Sequence, residues 1–211
     1  MSAEPAYPPR SMAARSAARA SAIARSRRAQ PNGIWGMALF LCSEVTLFGT
    51  LIATYFYLDF NSPRWPPPGI ERPTIIWPAI ATGWLVATSV PMWLASRRAR
   101  AGDRPAVLWT IALAMVMQGL YFAAQVILFE HDIRKFSPKG SSYGSIYFTL
   151  LGAHHGHVFL GLLLDVALLW FLATRGLTNY WLTGVRALSI YWHVVNALAV
   201  LVLLTQLSPS L

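Results

Sequence analysis

The sequence predicts an all-α, polytopic membrane protein built as a bundle of five transmembrane helices. Composition supplies two of the observations, since 55% of the 211 residues are hydrophobic and only 12% are charged. The third is the grouping of the apolar residues into five runs, each long enough for the about 20 residues that a helix needs to cross a hydrocarbon core. A disordered chain or a small disulfide-bonded domain fits this composition poorly, because the chain is apolar and has one cysteine.

The five apolar runs follow one another from residue 34 towards the C-terminus. We place the predicted spans at residues 34–58, 74–96, 107–129, 143–173 and 184–207. The breaks between them contain turn-forming residues, such as Pro66-Pro67-Pro68-Gly69 after the first span. None of the breaks has the composition of a linker between domains, so residues 34–211 are predicted to form one transmembrane domain.

The first 33 residues form a separate basic segment with six arginines and one acid. We interpret this segment as a cytoplasmic N-terminal arm that lies on anionic lipid headgroups. An organellar transit peptide, which is also rich in Arg and Ser, is the alternative.

The formal net charge of +9 would suggest nucleic-acid binding in a soluble protein, but here the positive residues flank apolar runs. We therefore expect a membrane and no nucleic acid as the partner. Twelve Lys and Arg residues fall on the side of the N-terminus and five on the opposite side. This asymmetry predicts a cytoplasmic N-terminus and a C-terminus outside.

Glu44 is the ionisable residue of the first span. It stands ten residues after Ile34, which places it about 15 Å into a core about 30 Å thick. A carboxyl group at that depth is protonated or paired. Glu44 therefore either joins two helices through a hydrogen bond or serves as a proton-exchanging or lipid-sensing group.

The fourth span contains three histidines and an acid. His154 and Asp165 are expected on one stripe of the helix, with Gly161 between them, while His157 flanks the stripe and His155 points away. Together with His193 of the fifth span, these imidazoles could form a haem or copper site, but histidines that pack and form hydrogen bonds are the favoured interpretation.

The fifth span contains a polar and aromatic cluster, Tyr191-Trp192-His193, followed by Asn196. Tyr, Trp and His need hydrogen-bond partners when buried. Asn196 is three residues after His193, so the two are expected to share a face and to meet one neighbour. Gln118 and Gln125 form a comparable polar stripe on the third span.

Four motifs occur in order along the chain. They are Trp35-Gly36-Met37 leading to Ser43-Glu44-Val45, then Trp65-Pro66-Pro67-Pro68-Gly69-Ile70, then Tyr143-Gly144-Ser145 with Gly152, His154 and His157, and finally Tyr191-Trp192-His193. The set resembles subunit III of the haem-copper respiratory oxidases, in its five-helix bacterial form. The chain departs from that pattern at Asn196, where the family usually has Asp, at His155-Gly156, and at Leu128, and Asp165 has no assigned counterpart.

The resemblance implies a bacterial inner-membrane subunit of a terminal oxidase that reduces oxygen to water. It implies no redox centre on this chain, because the haems and copper belong to partner subunits I and II. It also implies bound phospholipid and support of the catalytic subunit's stability and proton uptake.

Within that interpretation the polar candidates are Glu44, His154, His157, His193, Asn196 and Asp165, and the helix-packing or lipid candidates are Trp35, Gly152, Gly161, Tyr191 and Trp192. Gly152 and Gly161 are expected to be points of close packing. Other interpretations are a subunit III-like accessory protein of a nitric oxide reductase system, a stand-alone haem protein that uses His154, His157 and His193, and a transporter that uses Glu44 and Asp165.

Overall fold

The structure is a computed structural model that describes residues 32–176 and 178–210. In this part of the chain the helices are α1 (Asn32–Phe60), α2 (Ile76–Ala87), α3 (Ser89–Arg100), α4 (Arg104–Lys135), α5 (Ser142–Arg175) and α6 (Asn179–Leu207), followed by a short 3-10 helix, Ser208–Ser210. With α2 and α3 taken as one span, five segments are long and apolar enough to cross a membrane. The predicted five-helix membrane fold is confirmed.

The helices extend beyond most of the predicted spans, and α4 begins at Arg104 rather than at residue 107. The predicted N-terminal arm lies outside the described residues, except that Asn32 and Gly33 form the start of α1.

Local side-chain contacts explain where the later helices begin. The side chains of Asp103, Ser141 and Thr178 accept hydrogen bonds from the backbone N–H groups of residues 106, 144 and 181, at the starts of α4, α5 and α6. Such caps satisfy backbone donors that the first helical turn leaves unpaired. At the other end of α5, Gly176 has φ of 79°, a conformation that favours glycine and ends the helix.

The second span is interrupted at Thr88, between α2 and α3. Pro91 lies three residues later and has no backbone N–H, so the carbonyl of Ala87 loses its usual helical donor. The Thr88 hydroxyl donates to the carbonyl of Leu85 at 2.6 Å. The span predicted as one run over residues 74–96 is therefore two helices with a break near its centre.

Helix α6 occupies the middle of the bundle, where it contacts α1, α2, α3 and α5. Helix α1 lies at one edge and contacts only α5 and α6 among the described helices. The main core contains Leu85, Met92, Ile111 and Leu172. Large apolar side chains such as Trp109 and Trp170 point outward and are exposed, as expected where a lipid hydrocarbon surrounds the bundle.

Candidate functional site

Glu44 of α1 and His157 of α5 form a pair on the side of the bundle where these helices meet. Glu44 Oε2 lies 2.6 Å from His157 Nε2, and each side chain retains 15% of its exposure. His157 Nδ1 lies 2.7 Å from the carbonyl oxygen of Ala153. A carbonyl only accepts, so Nδ1 carries a hydrogen, and one further proton lies between Nε2 and the carboxyl oxygen. The pair is therefore either a neutral acid and imidazole or a carboxylate and imidazolium.

Two aromatic side chains hold this pair in place. The Phe48 ring of α1 meets the His157 ring edge-on, with centroids 5.2 Å apart. The Tyr191 hydroxyl of α6 donates to the backbone carbonyl of His157 at 2.7 Å. Both aromatic side chains are buried, so three helices fix the position of one histidine.

Asp165 of α5 forms a second polar cluster and is fully buried. The indole Nε1 of Trp192 donates to both carboxyl oxygens, at 3.1 and 3.2 Å. With the Gln118 amide oriented so that its nitrogen faces acceptors, that nitrogen donates to Asp165 Oδ2 at 2.9 Å. Asp165 thus joins α4, α5 and α6 through two donors.

Gly161 allows this approach of α5 and α6. A Cβ atom added at Gly161 would lie 2.5 Å from Trp192 Cζ2 and 2.9 Å from Tyr191 Cε1. The expectation of close packing at Gly152 is wrong, because a Cβ atom there would meet no atom of the described residues within 4 Å.

The other two histidines of the fourth span have separate surroundings. His154 is 2% exposed, and its Nε2 lies 3.3 Å from the Tyr121 hydroxyl of α4. His155 packs edge-on against Phe122 and Phe129, with centroids 6.4 and 5.6 Å away. Tyr121 was not singled out from the sequence, although it stands between Gln118 and Gln125 on the polar stripe of α4.

Asn196 bridges α6 to the break in the second span. Its amide nitrogen donates to the hydroxyls of Thr88 at 3.2 Å and Ser89 at 2.8 Å. His193 is exposed on the surface of α6, so the expectation that it shares a neighbour with Asn196 is wrong. Residues three apart on a helix differ by about 60° in direction, and here that angle separates a buried side chain from an exposed one.

The imidazoles do not converge on one point. His193 is exposed on α6, and both nitrogens of His157 already have partners. Across residues 32–176 and 178–210, no group of three His, Cys, Asp or Glu side chains could hold a metal ion. Trp35, a packing or lipid candidate, is 61% exposed on α1 and therefore faces the surroundings of the bundle.

A family model for cytochrome c oxidase subunit III matches residues 20–207. The cytochrome bo(3) ubiquinol oxidase subunit 3 of Pseudomonas aeruginosa is 29% identical over 168 residues, covering 78% of this chain and 79% of the relative. The quinol oxidase subunit 3 of Bacillus spizizenii is 30% identical over 165 residues, covering 77% and 80%.

The cytochrome c oxidase subunit 3 of Thermostichus vulcanus is 27% identical over 166 residues, covering 78% of this chain and 81% of the relative. The match over most of the chain agrees with the five apolar helices and with the order of the motifs. The chain belongs to the cytochrome c oxidase subunit III family, whose members work as multi-pass membrane subunits of terminal oxidase complexes.

Proposed function

We propose that this chain is subunit III of an aerobic terminal oxidase in a bacterial inner membrane, that it carries no redox centre of its own, and that it supports the stability, lipid binding and proton uptake of the catalytic subunit. Subunits I and II are the proposed partners and hold the haem and copper. The observation that carries the proposal is the pair formed by Glu44 and His157. In this proposal the catalytic subunit reduces oxygen, and this chain contributes a pair of side chains that holds a proton.

The chemistry of the pair supports a role in proton uptake. Glu44 and His157 hold one proton between two groups that can each accept it. An ionisable group at membrane depth is costly to keep and is retained chiefly where it has a function. Because the pair retains 15% of its exposure at the edge of the bundle, a proton can reach it from a neighbouring subunit or from water between subunits.

A groove between α4 and α5 supports the proposed binding of phospholipid. It is lined by apolar side chains, including Leu108, Trp109 and Leu169, and Arg104 lies at its end. Arg104 donates from Nε and Nη2 to the carbonyls of Leu172 and Ala173, at 3.0 and 2.6 Å. A cation at the end of an apolar groove matches an anionic headgroup with its acyl chain.

The proton role is tested by Glu44→Gln in the whole oxidase. Glutamine keeps the size of the side chain and a hydrogen bond to His157, but it cannot exchange a proton. We expect unchanged haem content together with slower turnover or a shorter active lifetime, measured as oxygen consumption over many turnovers.

Glu130→Gln is the matched control, since Glu130 is exposed at the end of α4 and pairs with Arg134. It should behave as the unmodified oxidase. Normal turnover and lifetime in both Glu44→Gln and Glu44→Ala would remove the proton role of Glu44.

The partners are tested by affinity purification of the chain in mild detergent, with a reduced-minus-oxidised spectrum and mass identification of co-purifying chains. Haem- and copper-containing partners with oxygen reductase activity are expected. A nitric oxide reductase as the partner would favour the accessory-protein alternative. A lone chain with its own haem band would favour a stand-alone haem protein.

A further inference from the structure

A cavity of about 540 Å³ lies among α2, α4, α5 and α6, away from the pair formed by Glu44 and His157. Its mouth is at the loop face, defined here as the end of the bundle that carries residues 61–75 and 136–141. Four charged residues and a histidine surround the mouth: Glu71, Arg72, Asp132, Lys135 and His131. These groups have both signs, and Asp132 accepts a hydrogen bond from the Tyr147 hydroxyl at 2.9 Å.

The cavity extends far into the bundle. Tyr143 and His154 of α5 both line it, and their separation of eleven positions corresponds to about 16 Å along a helix. Beyond the mouth the charged residues give way to neutral polar side chains, the amides of Gln125 and Gln206 and the pair formed by Tyr121 and His154. Polar groups therefore occur along the cavity down to its deep end, between apolar side chains such as Leu128, Leu151 and Val202.

The deep end contains an unsatisfied nitrogen. His154 Nε2 lies against the Tyr121 hydroxyl, but His154 Nδ1 is buried without a hydrogen-bond partner among the described residues. A buried polar atom left unpaired costs about 1–3 kcal/mol. Cavities that are polar and large enough hold ordered water, which pairs with such atoms.

We propose that this cavity is a water-filled shaft that connects the loop face to His154, so that His154 exchanges protons with that face. The shaft is separate from the proposed proton role of Glu44 and does not depend on it. Water supplies the missing partner of His154 Nδ1, and the chain of polar side chains between the mouth and His154 gives that water its hydrogen bonds.

Cysteine accessibility tests the shaft in the whole oxidase in sealed membrane vesicles. Cys42 is exposed and is first replaced by Cys42→Ser. Ala199→Cys places a thiol in the wall of the shaft, while Ala114→Cys places one in the core outside it. The two alanines are matched, at 3% and 0% exposure.

The reagent is 2-sulfonatoethyl methanethiosulfonate, which is charged and reacts with the thiolate form that water stabilises. Added at the loop face, it should label Ala199→Cys at least about tenfold faster than Ala114→Cys. Leu203→Trp fills the shaft nearer its mouth and should reduce the rate at Ala199→Cys to that of Ala114→Cys. Equal rates at the two cysteines, or no slowing by Leu203→Trp, would overturn the proposal.

A second measurement tests whether water reaches the His154 side chain. Deuterium exchange at the imidazole C2 position, followed by mass spectrometry, should be faster at His154 than at His155. Both are buried, but His155 does not line the cavity and serves as an internal control. Exchange at His154 that is as slow as at His155 would show that water does not reach the deep end and would contradict the shaft.

Discussion

A carboxyl group inside a helix bundle requires hydrogen-bond donors, and Asp165 has two of them on two other helices. Trp192 and Gln118 both donate to it. Glu44 is held differently, because His157 is its partner and both side chains remain partly exposed. At the scale of single residues, the structure therefore separates a fully enclosed acid that joins helices from a partly exposed acid, for which we propose proton exchange.

Asp165→Leu should destabilise the protein, because it leaves the donors of Trp192 and Gln118 buried without an acceptor. We expect a loss of about 1–3 kcal/mol in the free energy of unfolding, measured by titration with SDS. Asp165→Asn keeps one acceptor and should lose less. If Asp165→Leu were as stable as the unmodified chain, Asp165 would not join these helices energetically.

Among the helices, α5 and α6 approach closely at Gly161, and α6 reaches the break between α2 and α3 through Asn196. The amide of Asn196 binds two hydroxyls at that break, where Pro91 has removed a helical hydrogen bond. Asn196 thus joins α6 to the hydroxyl groups at the break in another span.

Gly161→Ala should destabilise the protein while Gly152→Ala should not. A Cβ atom at Gly161 would overlap the Trp192 and Tyr191 rings, and overpacking of this kind costs about 1–3 kcal/mol. The matched control is Gly152→Ala on the same helix, which has free space and gains the helix propensity of alanine, up to about 1 kcal/mol. Equal stability of the two variants, measured by SDS titration, would show that α5 and α6 can move apart at little cost.

For the whole molecule, the position of α6 in the centre and the outward apolar side chains fit a bundle surrounded by lipid and by neighbouring subunits. Basic residues near the ends of the helices indicate how the bundle is oriented in the membrane. Arg97, Arg98 and Arg100 lie at the end of α3, and Lys139 lies in the loop between α4 and α5. The excess of Lys and Arg on the side of the N-terminus predicts that this side is cytoplasmic.

Orientation is tested with two single cysteines in the Cys42→Ser background. Lys139→Cys should be labelled by a membrane-impermeant thiol reagent in intact cells, and Arg100→Cys only after the membrane is opened. Both native residues are exposed, so access to the thiol depends on the side of the membrane and not on burial. The reverse pattern would place the N-terminus outside.

The sequence by itself determined the class, the number of spans and the candidate polar residues. Helix formation and membrane insertion depend on runs of about 20 neighbouring residues, and the short motifs that indicate the family are also local. The break at Thr88 could not be predicted from the sequence, because Pro91 is compatible with either a kinked or an interrupted helix.

Only the tertiary structure decided which polar groups meet. Glu44 and His157 are 113 positions apart, and their contact depends on how α1 and α5 are rotated about their own axes. The rotation of α6 about its own axis likewise buries Asn196 and exposes His193, and it brings Trp192 onto Gly161, while Gly152 has no such neighbour. Helical spacing gives the angle between two residues on one helix, whereas the packing of all the helices decides which of those side chains face the interior of the bundle.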